Sequence, residues 1–141
     1  MKINVLVVDD REEMREFVSW LLVLEQAEVV AAGDGLEAIE RLCGETEHPF
    51  DLIISDVEMP RMDGWELLAW VHEWRAELPV VLMSGVNNTR VFVRAARIGG
   101  ARGALPKPLL SAGLHELLEA LFDAAGRPRP SGFYCPLQPA A

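Results

Sequence analysis

The sequence has few of the features that mark secreted, membrane-spanning or nucleic-acid-binding proteins. Its two cysteines, Cys43 and Cys135, form no Cys-x-x-Cys pair and no Cys/His cluster, which argues against a zinc framework or a disulfide scaffold and leaves reduced thiols as the plainer reading. His48, His72 and His115 have no ligand-like spacing with one another. No stretch approaches the roughly 20 apolar residues of a membrane span. The N-terminal apolar run, residues 5–8, is cut off by Asp9 and Asp10, too early for a signal-peptide core. Positive charge is scarce: 13 Lys and Arg stand against 22 Asp and Glu, a formal charge of -9. That balance repels nucleic-acid phosphates and anionic lipid, so the expected ligand is a cation or a protein, while the reduced thiols fit a cytoplasm. No internal repeat and no helix-turn-helix is visible, so no direct DNA contact and no membrane partner are expected.

What is present is enough apolar material for one domain. Half of the 141 residues are hydrophobic, which allows a buried core without disulfide or metal staples. Short β-type runs at residues 3–9, 28–32, 51–56, 79–84 and 102–107 alternate with helical patterns. Met14, Phe17, Val18, Leu21 and Leu22 follow the spacing of an amphipathic helix, and Leu114, Leu117, Leu118, Leu121 and Phe122 repeat it. Weaker patterns run over 36–43, 65–74 and 91–98, with Gly44 and Gly99 placed to end two of them. The alternation predicts an α/β (βα)5 domain: a five-stranded parallel sheet covered on both faces, a three-layer α/β/α sandwich. From Gly126 the composition changes, with four of the nine prolines in the last 16 residues. The expected division is a domain over 1–125 and a Pro-rich extended or disordered tail over 126–141, in which Pro136 and Pro139 could form a PxxP ligand.

In open parallel sheets, ligands bind beyond the C-terminal ends of the strands. Here those ends carry Asp9 and Asp10, then Asp56, then Ser84, then Lys107: three carboxylates, a hydroxyl and an ammonium on one edge of an apolar sheet. Clustered carboxylates repel one another unless a cation joins them, and hard oxygen ligands suit Mg²⁺ or Mn²⁺ better than zinc. Phosphoryl transfer needs positioning and charge neutralisation more than covalent chemistry, which such a set around one carboxylate nucleophile would supply.

At these residues the sequence resembles the response-regulator receiver family, through Val7-Val8-Asp9-Asp10, the run from Asp56 through Glu58, Met59 and Pro60 to Asp63-Gly64, then Met83-Ser84-Gly85 and Lys107-Pro108. The resemblance covers residues 1 to about 125 and implies the flavodoxin-like strand order 2-1-3-4-5. It makes Asp56 the phosphoacceptor, Asp10 a direct metal ligand, Asp9 a ligand largely through water, and Glu58 a ligand through its backbone carbonyl. Ser84 and Lys107 would hold the phosphoryl oxygens, with the bond to Pro108 typically cis. The implied donor is a histidine kinase or a phosphotransfer protein, docking on the first helix. The implied output is a downstream protein, or a homodimer, on the face of the fourth helix, fifth strand and fifth helix. The role is that of a signalling phosphoacceptor rather than an enzyme.

The sequence departs from the pattern at Ala104, where the family places a switch aromatic, and the usual coupling through a ring cannot operate there. Pro106 lacks a backbone donor and implies an edge strand or a local distortion. Glu58 and Val86 sit where the family tunes water access to the acyl phosphate, and small Gly85 should leave the site open to a donor. Blander readings stand beside these. Asp9 and Asp10 could merely serve the start of a helix near Arg11. Asp63-Gly64 reads as a turn and helix start, Met59 as loop packing, and Trp65, Trp70 and Trp74 as core with at least one partly exposed. A flavodoxin-like electron carrier would share the architecture, but Asp-Asp-Arg-Glu-Glu after the first strand would repel a flavin phosphate. An aspartyl phosphatase usually carries a second Asp where this chain has Glu58. Two further alternatives are a phosphorylation-independent interaction module and the receiver portion of a longer hybrid kinase or regulator.

Overall fold

The computed structural model describes residues 2–44, 49–85, 88–130 and 132–135. His48, Val86 and the Pro136 to Pro139 motif lie outside them. Strands and helices alternate throughout: β1 (Asn4–Val8), α1 (Glu12–Leu24), β2 (Glu28–Ala32), α2 (Gly35–Gly44), β3 (Leu52–Asp56), α3 (Gly64–Trp74), β4 (Val80–Ser84), α4 (Thr89–Ile98), β5 (Gly103–Pro106) and α5 (Ser111–Leu121). The five strands form one parallel sheet in the order β2-β1-β3-β4-β5, so the fold is the expected α/β/α sandwich.

The period of two along each strand divides the core into two layers. Leu6, Val8, Ile53, Leu82 and Ala104 point to the face covered by α2, α3 and α4, where they meet Leu42, Leu67, Val71 and Phe92. Val5, Val7, Ile54, Val81, Met83 and Leu105 point to the opposite face, against Leu22 of α1 and Leu114, Leu117 and Leu118 of α5. β3 and β4 are buried along their whole length, as central strands with both faces covered must be.

The helices follow the expected stripes at their centres, but the outermost residues of the patterns over 36–43 and 91–98, Leu36, Cys43, Val91 and Ile98, are exposed. The α5 stripe is buried in full, whereas α1 buries Val18, Leu21 and Leu22 but leaves Phe17 41% exposed, and Trp20 and Leu24 more so. A 13-residue helix on one sheet face can bury only one side, and Phe17 falls on its margin. Trp65 and Trp70 are half-buried, Trp65 making an edge-on contact with Phe92, while Trp74 is 60% exposed. α3 begins with a reciprocal capping box: the Asp63 side chain accepts from Glu66 N–H and the Glu66 side chain accepts from Asp63 N–H.

β5 is an edge strand, which accommodates Pro106. The Lys107 amide donates inward to the Ser84 carbonyl and the Ala104 amide outward, so the missing donor of Pro106 falls on the outer side and costs no bond to β4. Past α5 the chain turns back at residues 124–126, with an antiparallel bridge from Phe122 to Pro128, and then reaches β5 in a parallel bridge from Gly103 to Tyr134.

Candidate functional site

Two neighbouring strands deliver the acidic residues to one point. Asp9 follows β1 and is fully buried, Asp10 lies beside it on the surface, and Asp56 closes β3 and is 7% exposed. Each offers a carboxylate oxygen within 4.8 Å of the others. Ser84 closes β4 and is buried; Lys107 directly follows β5 and is half-buried. The Lys107 ammonium lies 3.3 Å from Asp9 Oδ2 and 3.3 Å from Asp56 Oδ1. Asp10, Asp56, Ser84 and Lys107 open into a cleft of about 970 Å³ that also takes in Glu58, Gly85, Asn88 and Trp65, with Asp9 buried behind them. The sequence-expected set thus converges, except Ala104: it is fully buried in mid-strand under the α2–α4 layer and does not line the cleft.

Local geometry fixes each group. Asp9 Oδ1 accepts the Arg11 amide, so its carboxylate does organise the approach to α1, while Oδ2 turns to Lys107. Arg15, one turn into α1, donates to the Asp9 carbonyl. Asp56 Oδ1 accepts the Val57 amide at 3.0 Å. Burial pushes the Asp56 carboxyl above its ordinary value of 3.8; the charge of Lys107 opposes that shift and the charge of Asp9 adds to it. Gly64 lets the start of α3 lie directly against this loop, since a Cβ there would sit 2.3 Å from the Asp56 carbonyl oxygen. The Lys107-Pro108 peptide bond is cis.

Sequence reasoning missed a clasp beside the cleft. Asp34 is 7% exposed and its Oδ2 takes both Nε and an NH2 donor of Arg61 at 2.7 Å, while Oδ1 accepts the Glu37 amide. The Gly35 amide donates to the Met62 carbonyl, so the loop after β3 is tied to the start of α2. Asp34-Gly35 before an apolar run is a readable helix start, but nothing local pairs it with Arg61, 27 residues on. Among the described cysteines, Cys43 is exposed and Cys135 buried, both free. Among the described residues, no helix is long and apolar enough to cross a membrane.

The donor set fits a hard divalent cation. Three carboxylates in reach of one another offer only oxygen, the sole nearby ammonium among the described residues already serves two of them, and the exposed side at Asp10 leaves room for water.

Comparison with known proteins agrees with this geometry. Residues 5–119 match the response regulator receiver domain family. The chain is 34% identical over 124 residues to the C4-dicarboxylate transport transcriptional regulatory protein DctD of Pseudomonas aeruginosa, covering 88% of this chain and 24% of that one. It is 37% identical over 118 residues to the response regulator protein FleR of the same species, covering 84% of this chain and 24% of that one. The structure of the chemotaxis protein CheY4 of Vibrio cholerae superposes with a TM-score of 0.72 at 31% identity, covering 84% of this chain and 98% of that one. The chain therefore spans about a quarter of the length of these two regulators.

Proposed function

The chain belongs to the response-regulator receiver family, and from that premise we propose that Asp56 is the residue that takes the phosphoryl group. The observation that carries this reading is one carboxylate at the end of a central strand, with an ammonium at 3.3 Å and two further carboxylates in metal-binding reach. Val57 N–H and Lys107 both engage Oδ1, so attack on the donor phosphorus falls to Oδ2. A new oxygen–phosphorus bond forms as the donor's phosphorus–nitrogen bond breaks, and the departing imidazole keeps the bonding electrons and takes up a proton. Lys107 is placed to follow the transferred oxygens as a flexible point charge, with Ser84 at the neighbouring strand end as a hydroxyl donor.

Asp10 and Asp56 would hold Mg²⁺, or Mn²⁺, with Asp9 acting largely through water and Glu58 through its backbone carbonyl. Such an ion would neutralise charge on the attacking and transferring oxygens. Asp9 has a second task that needs no metal, which is to hold Lys107 beside Asp56. The chain turns over no external substrate in this reading; it assists its own phosphorylation and dephosphorylation. The donor is a histidine kinase or phosphotransfer protein in the cytoplasm, and the phosphorylated state is read by a downstream protein or a second copy through α4, β5 and α5.

A second reading is favoured by one observation. Ala104 is wholly buried and offers no ring to swing, so this chain could instead present a constitutive interaction surface, alone or as one portion of a longer regulator. Intact mass after incubation with acetyl phosphate and Mg²⁺ separates the two. One added phosphoryl group on the wild type, absent from Asp56→Asn and abolished by a chelator, is the result expected; no adduct with several donors would favour the constitutive module.

A further inference from the structure

The chain beyond α5 is built onto the domain. Asp123 Oδ1 accepts the amides of Ala125 and Arg127, and Gly126 reverses the chain with a φ of 82°. Arg129 then donates from its side chain to the carbonyls of Glu119 and Phe122 and from its amide to that of Leu121. Those are helix-end carbonyls that α5 cannot satisfy internally. The Arg102 guanidinium in turn donates to the Arg129 carbonyl.

Residues 133–135 have the character of a short added strand. The Tyr134 amide donates to the Arg102 carbonyl and the Ala104 amide to the Tyr134 carbonyl, both at 3.0 Å, a parallel bridge on the outer edge of β5. Side chains alternate across it: Phe133 and Cys135 join the core layer under α2–α4, and Tyr134 joins the layer under α1 and α5. The Arg97 guanidinium of α4 stands 4.9 Å from the centroid of the Phe133 ring, and the Tyr134 hydroxyl donates to Glu116 Oε2 of α5 at 2.7 Å. β5 is shaped for this neighbour, because a Cβ at Gly103 would lie 2.9 Å from the Tyr134 carbonyl oxygen and 2.8 Å from Leu117 Cδ1.

We propose that the outer edge of β5, flanked by α4 and α5, is a strand-addition site for an extended aromatic segment, and that residues 133–135 fill it in cis as a displaceable cover. An uncovered edge strand is a template for pairing with another chain, and strand addition is a recurring way of binding extended peptides. The cover is held by two ladder hydrogen bonds, one ring–guanidinium contact, one hydroxyl–carboxylate bond and the seating of Phe133, Tyr134 and Cys135 against the margins of the two core layers, and its ladder bonds run to β5. It can therefore open without unfolding the sheet. While it is seated, the extended aromatic segment of a partner cannot reach β5. A competitor must run parallel to β5, place an aromatic ring beneath Arg97 and offer a hydroxyl to Glu116. The inference does not depend on the role of Asp56, although Lys107 lies three residues beyond Ala104 on the same course of chain.

Amide hydrogen exchange on the full chain tests it. In the wild type, the Ala104 amide should exchange through local opening, faster than the amides of β1 and β3. In the Phe133→Ala, Tyr134→Ala double variant its protection should fall by a further factor of about ten, with the central strands unchanged. A synthetic peptide of residues 131–138 carrying Cys135→Ser, added as a probe, should bind the double variant at least about tenfold more tightly than the wild type. Ala104 exchanging only together with the core of the wild type would overturn the proposal even if the double variant failed to fold. Unchanged protection in the variant, or a peptide that distinguishes neither protein, would overturn it as well.

Discussion

Replacing Asp56 by Asn should stabilise the metal-free protein while abolishing its chemistry. Asn keeps an acceptor oxygen for the Val57 amide and for Lys107, and removes only a charge. At the effective dielectric of a part-buried pair, Lys107 at 3.3 Å attracts that charge by about 5 kcal/mol and Asp9, up to 4.8 Å away, repels it by about 3.5 kcal/mol. The two leave a net attraction of about 1.5 kcal/mol, which the desolvation of a carboxylate that is 7% exposed outweighs, since burial leads in raising the Asp56 pKa. The variant should gain about 1 kcal/mol at neutral pH, moving the urea midpoint up by roughly 0.5 M. The sign of the pH dependence follows. Below the unfolded value of 3.8 the carboxyl is protonated in both states and carries no penalty. As the pH rises from there towards the raised folded value, the unfolded chain ionises first and the wild type loses stability relative to Asn. Above that window the gap is constant. Mg²⁺ should close it, since an ion at about ten times its dissociation constant stabilises only the wild type, by about 1.4 kcal/mol. Urea unfolding with chelator and with Mg²⁺, at acid and neutral pH, reads all of this. A variant less stable than wild type in chelator at neutral pH would refute the reasoning.

Gly64→Ala should destabilise by about 2 kcal/mol or more, lowering the melting temperature by roughly 5–10 °C, because its Cβ meets only backbone atoms of Asp56 and Val57; a thermal melt within a degree or so of wild type would contradict the close approach. Gly85→Ala should transfer phosphoryl normally, its Cβ making ordinary contact at 3.7 Å with Lys107, while Gly85→Val should slow transfer by about tenfold by crowding that side chain; equal rates by intact mass would remove the open-site argument. His115 has Glu25 on one ring nitrogen and Glu119 on the other, and the hydrogen bond to Glu25 leads in raising its pKa above 6.5. Its stabilising contribution is full below 6.5 and fades as the pH rises through the raised value, so His115→Gln should flatten the stability profile there, and an NMR titration midpoint at or below 6.5 would contradict it.

The fold was legible because each buried strand is a short apolar run and each covering helix carries a stripe, so the two periods could be read locally. The boundaries were read a residue or two too long at β1 and β5, where Ile3 and Lys107 still exchange one hydrogen bond with the neighbouring strand, Ile3 accepting from the Glu28 amide and Lys107 donating to the Ser84 carbonyl, but lie beyond the strand ends. The convergence of Asp9, Asp10, Asp56, Ser84 and Lys107 was legible for a topological reason: every strand of a parallel sheet delivers its end to the same edge. What stayed hidden depends on pairs distant in sequence. The Asp34–Arg61 clasp and the seat of Tyr134 on β5 have no local signature, because the Pro-rich composition after Gly126 speaks to chain extension and not to what the extended chain lies against. Phe17 shows the opposite case, a residue with core periodicity that a single-sided helix leaves at its margin.

The most direct test of the phosphoacceptor assignment is to trap the acyl phosphate with sodium borohydride after treatment with acetyl phosphate and Mg²⁺, and to locate the reduced residue by peptide mass spectrometry. Reduction at Asp56 alone, lost in Asp56→Asn and without Mg²⁺, is the result the account predicts. Reduction at Asp9 or Asp10, or a phosphoryl adduct that survives Asp56→Asn, would contradict it.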